Sequence, residues 1–264
     1  MPAPFPDPVV HAMETIETWL PGAMFPSEIA WFLRRFIDSG ADTLIECGRQ
    51  DAVSTLAFGR FFQGTGVKVL SIDFDSDASR AAAARKRVEG LDVELISGDI
   101  HQHVPRLVMS LADRRVAVLQ DGPKGWEGMA TLLAASTHPN VRLIAQHNLH
   151  KGHVTRELFQ YLALQPAFIE HLADPSSYAA IIAAERAAIA RKAPNRPVDH
   201  TSLGVTEMTG AQRDAIVRSF AVLKSLYGYW NPGRVAAAWK DGRLDRVTRM
   251  RSQARYRLAR FQAR

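Results

Sequence analysis

Four polar side chains follow short apolar runs at points where the chain could place them together. Asp73 lies in "VLSIDFD", Asp99 in "LISGDIHQHVP" and Asp121 in "VAVLQDGPKGW", and His147 opens "HNLHKGH". A carboxylate offers several lone pairs to a ligand's hydroxyl groups or can act as a general base, and an imidazole titrates near neutral pH. In an open parallel sheet, ligands bind outside the carboxyl ends of the strands, so these residue types predict a binding or catalytic site there.

A fifth candidate stretch is "LIECGRQDAVST", which reads as a buried strand, a tight turn and the start of a helix. Gly48 is the only glycine in the turn, so the G-x-G-x-x-G pattern of dinucleotide-binding loops is absent. The bulky residues Arg49, Gln50 and Asp51 take places where small residues are usual. The missing glycines weaken a dinucleotide-binding interpretation and leave open whether this turn holds a cofactor or only reverses the chain.

The elements that would position these residues alternate along the chain. Apolar strands that alternate with helices indicate a parallel sheet covered on both faces. Near the end of this region, "PAFIEHLADPSSYAAIIAAE" reads as two strands joined by a turn, which predicts a terminal antiparallel hairpin. The predicted strands are Thr43–Cys47, Val67–Ile72, Val93–Ile96, Val116–Leu119 and Val141–Ala145, and the predicted helices are Val9–Leu20, Ser27–Asp38, Val53–Phe62, Ala78–Val88, Met129–Ala135 and Thr155–Leu164.

The same reading predicts four segments. Residues 1–40 form a helical extension that acts as a lid or a dimer contact, 41–190 the α/β domain, 191–210 a polar linker and 211–264 a basic helical extension. From Arg213 to Arg264 there are 13 Lys and Arg against 3 Asp and Glu, whereas the whole chain carries a net +6.

Composition narrows the classes of protein. The 264 residues contain a single cysteine, Cys47, which excludes an internal disulfide and a cysteine-built zinc site. We see no signal peptide and no uninterrupted apolar run of about 18 residues, so we expect a cytoplasmic protein with no membrane span.

In their order, these stretches resemble the motifs of class I S-adenosylmethionine-dependent methyltransferases, especially the small-molecule O-methyltransferase branch. "LIECGRQDAVST" is similar to the first motif, and "VLSIDFD", "LISGDIHQHVP" and "VAVLQDGPKGW" to the next three. The resemblance runs from about Phe25 to about Glu185. It implies a Rossmann-like methyltransferase fold, with a mostly parallel seven-stranded sheet and a terminal antiparallel hairpin, and S-adenosylmethionine as cofactor.

The resemblance also implies roles for particular residues. Glu46 and Gly48 would lie against the methionine end of the cofactor, Asp73 would accept both ribose hydroxyls, and Asp99 and Ile100 would border the adenine. The full set of implied cofactor contacts is Glu46, Gly48, Arg49, Ser54, Asp73, Phe74, Asp99, Ile100 and Asp121.

Asp121 and His147 are the implied catalytic residues, with two chemistries open. Asp121 could be a general base for a substrate hydroxyl, or it could bind a divalent cation with His147 and Asn148, which resemble an altered form of the Asp-Asn pair of metal-dependent O-methyltransferases. Histidine in place of aspartate disfavours magnesium, which prefers oxygen ligands. His147 could instead be the base itself. The further histidines His101, His103, His150 and His153 permit a transition-metal site, although loop histidines without a metal are the favoured interpretation.

Three functions follow as hypotheses. The first is O-methylation of a small hydroxylated molecule such as a sugar or secondary metabolite, in which Lys124 and Lys151 either orient an acidic substrate or are solvated. The second is a catalytically inactive, methyltransferase-like binding or assembly protein. The third is an RNA methyltransferase that uses the basic tail, although packing of that tail through Leu244, Val247, Leu258 and Phe261 is favoured over nucleic-acid binding. A homodimer is possible in each case.

Overall fold

The computed structural model describes residues 4–124, 126–149, 156, 159, 167–168, 175–195 and 203–217, and the side chains of 126, 127, 167, 168, 175 and 176 are not described. The chain divides into two compact units, Met1–Gly210 and Ala211–Arg264. All of the strands and helices listed below belong to the first unit. In the second unit the described residues 211–217 are helical, and the rest of the predicted basic extension lies outside the described residues.

The first unit is built on one seven-stranded sheet with the order β3-β2-β1-β4-β5-β7-β6. β1 pairs in parallel with β2 and β4, β2 with β3, and β4 with β5, whereas β7 is antiparallel to both β5 and β6. The predicted α/β, mostly parallel sheet with an antiparallel end is confirmed. The strands are β1 (Thr43–Cys47), β2 (Lys68–Asp73), β3 (Val93–Ser97), β4 (Val116–Gln120), β5 (Val141–Gln146), β6 (Ala167–Phe168) and β7 (Gly204–Glu207).

Helices cover both faces, as parallel strands require. Central strands β1 and β4 are buried at all five positions, which explains their nearly continuous apolar sequence. The helices are α1 (Pro8–Thr15), α2 (Pro26–Asp38), α3 (Val53–Phe62), α4 (Ala78–Arg87), α5 (Ile100–Ser110), α6 (Trp126–Ser136) and α7 (Ala179–Lys192), with a 3₁₀ turn at Pro175–Tyr178.

Helix α2 is part of the main core. Its residues Phe32 and Phe36 are fully buried, and their rings contact those of Phe58 and Phe62 on α3. Burying a large aromatic side chain contributes about 2–3 kcal/mol, so this face is a substantial part of the core's stability. Helix α2 therefore packs as an integral layer of the first unit.

The predicted hairpin is wrong in its second strand. "YAAIIAAE" forms the 3₁₀ turn and the first part of α7, because a run rich in alanine has a high helix propensity and its apolar positions suit either period. The antiparallel strand is β7, which lies inside the predicted linker 191–210. The sequence predicts a linker there because the strand has only four residues and follows a stretch of proline and polar residues. The predicted helix Thr155–Leu164 lies outside the described residues except for Arg156 and Phe159, which are helical.

No helix in the described part of the chain is both long enough and apolar enough to cross a membrane.

Candidate active site

A small, solvent-open cleft lies at the carboxyl edge of the sheet. One wall is the loop Leu20–Ala23, which connects α1 to α2, and the other is the β1–α3 turn (residues 48–52) with the first turn of α3. Asp121, which directly follows β4, also lines the cleft. The predicted strand-end location is therefore where the structure has its cleft, with an N-terminal loop over it.

Position 48 requires a glycine because the backbone has a positive φ there and the β4 turn packs directly against it. Its φ is +86°, and a Cβ added there would lie 2.5 Å from the Gly122 nitrogen and 2.7 Å from its Cα. The nitrogens of Asp121 and Gly122 both donate to the Cys47 carbonyl, at 2.8 Å each, so the turns after β1 and β4 are locked together. The glycine predicted to let a cofactor approach instead lets the β4 turn approach, which places Asp121 beside the β1–α3 turn.

Glu46 faces into the protein. Its carboxylate is fully buried and accepts hydrogen bonds from Ser54 (2.5 Å), Thr55 (2.6 Å) and Ser71 (2.7 Å). Burial raises the pKa of Glu46, and the three hydroxyl donors oppose that rise. The predicted contact with the methionine end of a cofactor is corrected: Glu46 anchors α3 and β2 beneath the turn, and Ser54, although it lines the cleft, is its donor.

Asp73 holds the β1–α3 turn closed. One carboxylate oxygen, Oδ2, accepts from the backbone nitrogens of Arg49 (2.8 Å) and Gln50 (3.0 Å), and Oδ1 accepts from that of Asp75 (3.0 Å). A carboxylate has about four lone-pair sites, so three are filled and one remains. With this turn, Asp73 could not accept both hydroxyls of a ribose, and the two-hydroxyl contact is corrected to one at most.

Arg49 directs its side chain away from the cleft. Its guanidinium donates to the carbonyls of Ser71 (2.8 Å) and Ile96 (3.0 Å) and pairs with Asp75, and its side chain is only 1% exposed. Gln50 is exposed, with φ +44°, and lines the cleft beside Asp51. The bulky residues of the turn therefore leave the cleft open. The guanidinium of Arg49 binds the ends of β2 and β3, and its predicted role as a cofactor contact is limited to its place in the cleft lining.

The three residues predicted to border an adenine differ in accessibility. Phe74 is 51% exposed, whereas Ile100 is 6% exposed. Asp99 caps α5, where its Oδ1 accepts from the His101 nitrogen at 2.9 Å. His101 contacts Thr131, and burial lowers its pKa. Phe74 is therefore the one of the three with a surface large enough to contact a ring.

His147 lies between two carboxylates. Its Nδ1 is 2.6 Å from Asp121 Oδ1, and its Nε2 is 2.9 Å from Glu28 Oε2. The imidazole is 4% exposed and Glu28 is fully buried. The half-exposed Lys124 pairs with the same Asp121 oxygen, so its ammonium group lies beside the predicted catalytic carboxylate. The structure brings the two predicted catalytic residues together and adds Glu28 and Lys124.

Glu28 is the residue that sequence reasoning missed. Its carboxylate reaches back to the Phe25 nitrogen at 3.1 Å, in the position that a glutamate three residues into a helix takes in a capping box. The helix start was predicted one residue late, at Ser27, because Pro26 is its first residue and Phe25 the cap. A glutamate at this point of an otherwise apolar helix start was the available signal.

In the cluster of Glu28, Asp121, Lys124 and His147, the negative and positive groups each favour the charged form of their neighbours. Burial alone would lower the pKa of His147, but the carboxylates of Glu28 and Asp121 raise it to about 10. Burial alone would raise the pKa of Asp121, but His147 and Lys124 hold it below its usual range. Both ring nitrogens of His147 are engaged and its charged form is favoured, which argues against the predicted role of His147 as a base near neutral pH.

A divalent cation does not fit the predicted ligand set. Asn148 Oδ1 is buried without a hydrogen-bond partner and could be a ligand, but both nitrogens of His147 face carboxylates and Asp121 Oδ1 faces an ammonium group. Within the described residues no group of three or more His, Cys, Asp and Glu could hold a metal ion. These contacts argue against the predicted metal site Asp121–His147–Asn148, which stays a prediction, and His150, Lys151 and His153 lie outside the described residues.

Comparisons with known proteins give similarity to solved structures alone: neither a protein-family model nor a curated protein matches the chain. A methyltransferase of Podospora anserina, PaMTH1, bound to S-adenosylhomocysteine (SAH), is 15% identical over 77% of this chain and 88% of its own, with a TM-score of 0.39. An O-methyltransferase of Bacillus cereus in complex with SAH is 13% identical over 77% and 92%, with a TM-score of 0.39. The cofactor-bound Rv0187 from MTB is 17% identical over 77% and 90%, with a TM-score of 0.42. At this level of likeness, the function must be inferred from this chain's own strand order and site residues.

Proposed function

We propose that this chain is an S-adenosylmethionine-dependent methyltransferase that methylates a hydroxyl group of a small molecule. The observation that carries the proposal is the position of Asp121. Its carboxylate lines the cleft together with the β1–α3 turn, at the carboxyl edge of a sheet whose order is β3-β2-β1-β4-β5-β7-β6. This arrangement supports the proposal because it puts an ionised acceptor beside the turn that resembles the first motif of the methyltransferases.

The cofactor would use the residues along this edge. S-adenosylmethionine supplies an electrophilic methyl group on a sulfonium. Gln50 and the loop Leu20–Ala23 would border its methionine end, Asp73 would offer its one remaining acceptor site to the ribose, and exposed Phe74 would contact the adenine.

Asp121 would orient the substrate. Among the described residues its recorded contacts, to His147 and Lys124, both fall on Oδ1, which leaves Oδ2 to accept a hydrogen bond from a substrate hydroxyl. Because the pKa of Asp121 is lowered, its carboxylate is a weak base that holds the hydroxyl in line rather than removing the proton early. With S-adenosylmethionine bound as the methyl donor, Asp121 Oδ2 would hold the substrate hydroxyl, take its proton as the methyl group is transferred and release that proton to solvent. Positioning supplies much of the rate in such a mechanism.

The second candidate is a methyltransferase-like protein without catalysis. Two features favour it: Asp73 already accepts three backbone hydrogen bonds, and the Arg49 guanidinium lies against the ends of β2 and β3. Both features reduce the number of hydrogen-bonding groups at the strand ends that are available to the ribose of a cofactor. The RNA-methyltransferase hypothesis rests on the basic tail and stays a prediction.

The test is transfer of an isotopically labelled methyl group from S-adenosylmethionine to a panel of sugars, phenols and other hydroxylated molecules, with RNA as a separate sample. We expect label in a small molecule, with a rate that falls by about 10²–10⁴-fold in Asp121→Asn. A matched control is Asp51→Asn, which also changes a carboxylate of the cleft lining but one that pairs with exposed Arg80. Label in RNA alone would favour the third hypothesis, and no transfer to any sample would favour the second.

A further inference from the structure

We propose that His147, held doubly protonated between Glu28 and Asp121, is a built-in cation that stands where a divalent metal would otherwise bind at this sheet edge, and that Glu28 is its positioning residue. The catalytic consequence rests on the proposed methyl transfer. The protonation itself is a property of the free protein.

With Glu28 and Asp121 ionised, the hydrogen-bond pattern calls for a proton on each ring nitrogen of His147. Glu28 Oε2 already accepts from the Phe25 nitrogen at 3.1 Å, so the oxygen that faces His147 Nε2 is an acceptor. Asp121 Oδ1 accepts from the Lys124 ammonium group, so the oxygen that faces Nδ1 is also an acceptor. A neutral imidazole can donate from one nitrogen only, and it would present a lone pair to one of these oxygens. The imidazolium donates from both and satisfies the arrangement.

Among the described contacts to the ring and to Asp121, negative and positive charges are equal in number. Glu28 and Asp121 supply two negative charges, and His147 and Lys124 supply two positive ones, in a region where the imidazole and Glu28 are almost completely removed from water. Glu46 and Glu185 also act on this cluster electrostatically, on Asp121 and Glu28 respectively. A divalent cation would add two further positive charges against His147 and Lys124, so the protein's own cations exclude it.

Glu28 gives helix α2 a part in the site. The helix is held at its first turn by Glu28 on Phe25 and by Glu185 of α7, whose Oε2 accepts from the Ser27 nitrogen at 2.9 Å. Glu28 does not line the cleft, so it acts through His147: it fixes the ring, and the ring keeps Asp121 ionised and oriented. Hydrogen bonds thereby join α2 to the cleft: Glu28 of α2 contacts His147, which follows β5, and His147 contacts Asp121, which follows β4.

The experiment is nitrogen-15 NMR of the histidine side chains in the full chain at pH 8. The two ring nitrogens resonate close together when both carry protons and well apart when one does not, and His147→Gln assigns the signal. We expect the doubly protonated pattern in the wild type and in the control Glu185→Gln, which changes a buried carboxylate at the same helix end that does not touch the ring. In Glu28→Gln we expect the pKa of His147 to fall by about 1–3 units, so that the neutral pattern is populated at pH 8.

Manganese binding, followed by electron paramagnetic resonance, is the second measurement. We expect no binding by the wild type at millimolar Mn²⁺ and measurable binding by His147→Asp, which replaces the cation by an oxygen ligand. A neutral ring in the wild type at pH 8, an unchanged ring in Glu28→Gln, or manganese bound by the wild type would each overturn the proposal, and the wild-type results do not depend on the folding of a variant. Failure of the protein to bind SAH would count against methyl transfer only, because the protonation and the manganese result are measured without cofactor.

Discussion

The guanidinium of Arg49 pairs with Asp75 at the carboxyl ends of β2 and β3, and in doing so turns away from the cleft that its own backbone lines. The first turn of the sheet therefore keeps a bulky, charged residue without blocking the place where a ligand would enter. It does so by placing the charge beneath the turn, against two strand-end carbonyls and one carboxylate.

The buried ion pair between Arg49 and Asp75 predicts that removing the arginine side chain lowers the stability of the protein strongly. Arg49→Ala would leave the Asp75 carboxylate, which is 11% exposed, with the Ser97 hydroxyl as donor but without its cationic partner, so we expect a loss of about 3–5 kcal/mol in the free energy of unfolding in urea. Arg80→Ala is the control, because the Arg80–Asp51 pair is exposed and should be worth about 0–1 kcal/mol. Equal losses in the two variants would contradict the assignment.

Gly48 predicts a second stability difference. Gly48→Ala must place a methyl group 2.5 Å from the Gly122 nitrogen at a positive φ, and we expect it to cost about 3 kcal/mol or more and to move the β4 turn. Gly64→Ala has a similar φ of +75° but open space around the added atom, so it should cost only the backbone strain, about 1 kcal/mol. Urea unfolding of both variants measures the difference, and similar costs would mean that the contact with Gly122 does not limit the turn.

Much of the sheet could be predicted from the sequence because its strands are short, apolar and separated by clear helices. Thr43–Cys47 and Val53–Phe62 were predicted with the bounds observed, and the strand-end residues Asp121 and His147 do meet. Periodicity failed at "AAIIAAE", because a short alanine-rich apolar run fits a strand and a helix equally, and at β7, which has only four residues.

The site residues were less predictable because side-chain direction depends on tertiary contacts. Nothing local shows that Glu46 would meet three hydroxyls from α3 and β2, or that the Gly48 backbone would face Gly122. Glu28 comes from a helix 119 positions before His147, and no spacing rule connects them.

His147 predicts how stability depends on pH above neutrality. Its pKa is raised to about 10 from an ordinary 6.5, so between these values the folded protein binds more protons than the unfolded chain. Stability should therefore be fully present below about pH 6.5 and fall as the pH rises toward 10, by on the order of 1.4 kcal/mol per pH unit at most. His147→Gln should flatten this part of the profile in thermal unfolding, and an unchanged slope in that variant would refute the assignment.

Glu185 predicts a separate effect at lower pH. Burial raises its pKa from 4.5 to about 7, against the hydrogen bond from Ser27. The folded protein again binds more protons than the unfolded chain between these values, so this residue makes stability fall as the pH rises from about 4.5 to 7. Glu185→Gln, which keeps an acceptor for Ser27, should remove that contribution and leave the slope above pH 7 unchanged. A variant whose profile matched the wild type below pH 7 would contradict this account.

The central claim is that the cleft between Leu20–Ala23 and the β1–α3 turn binds S-adenosylmethionine, and calorimetry with SAH tests it most directly. We expect one molecule to bind per chain, with an affinity at least about threefold weaker in Leu20→Ala, which trims a partly exposed side chain of the cleft lining, since each lost methylene contact contributes about 0.8 kcal/mol. Met109→Ala, which trims an exposed side chain of α5 outside that lining, should bind as the wild type does. No heat of binding with the folded wild-type protein, or equal affinity in Leu20→Ala and the wild type, would contradict the claim.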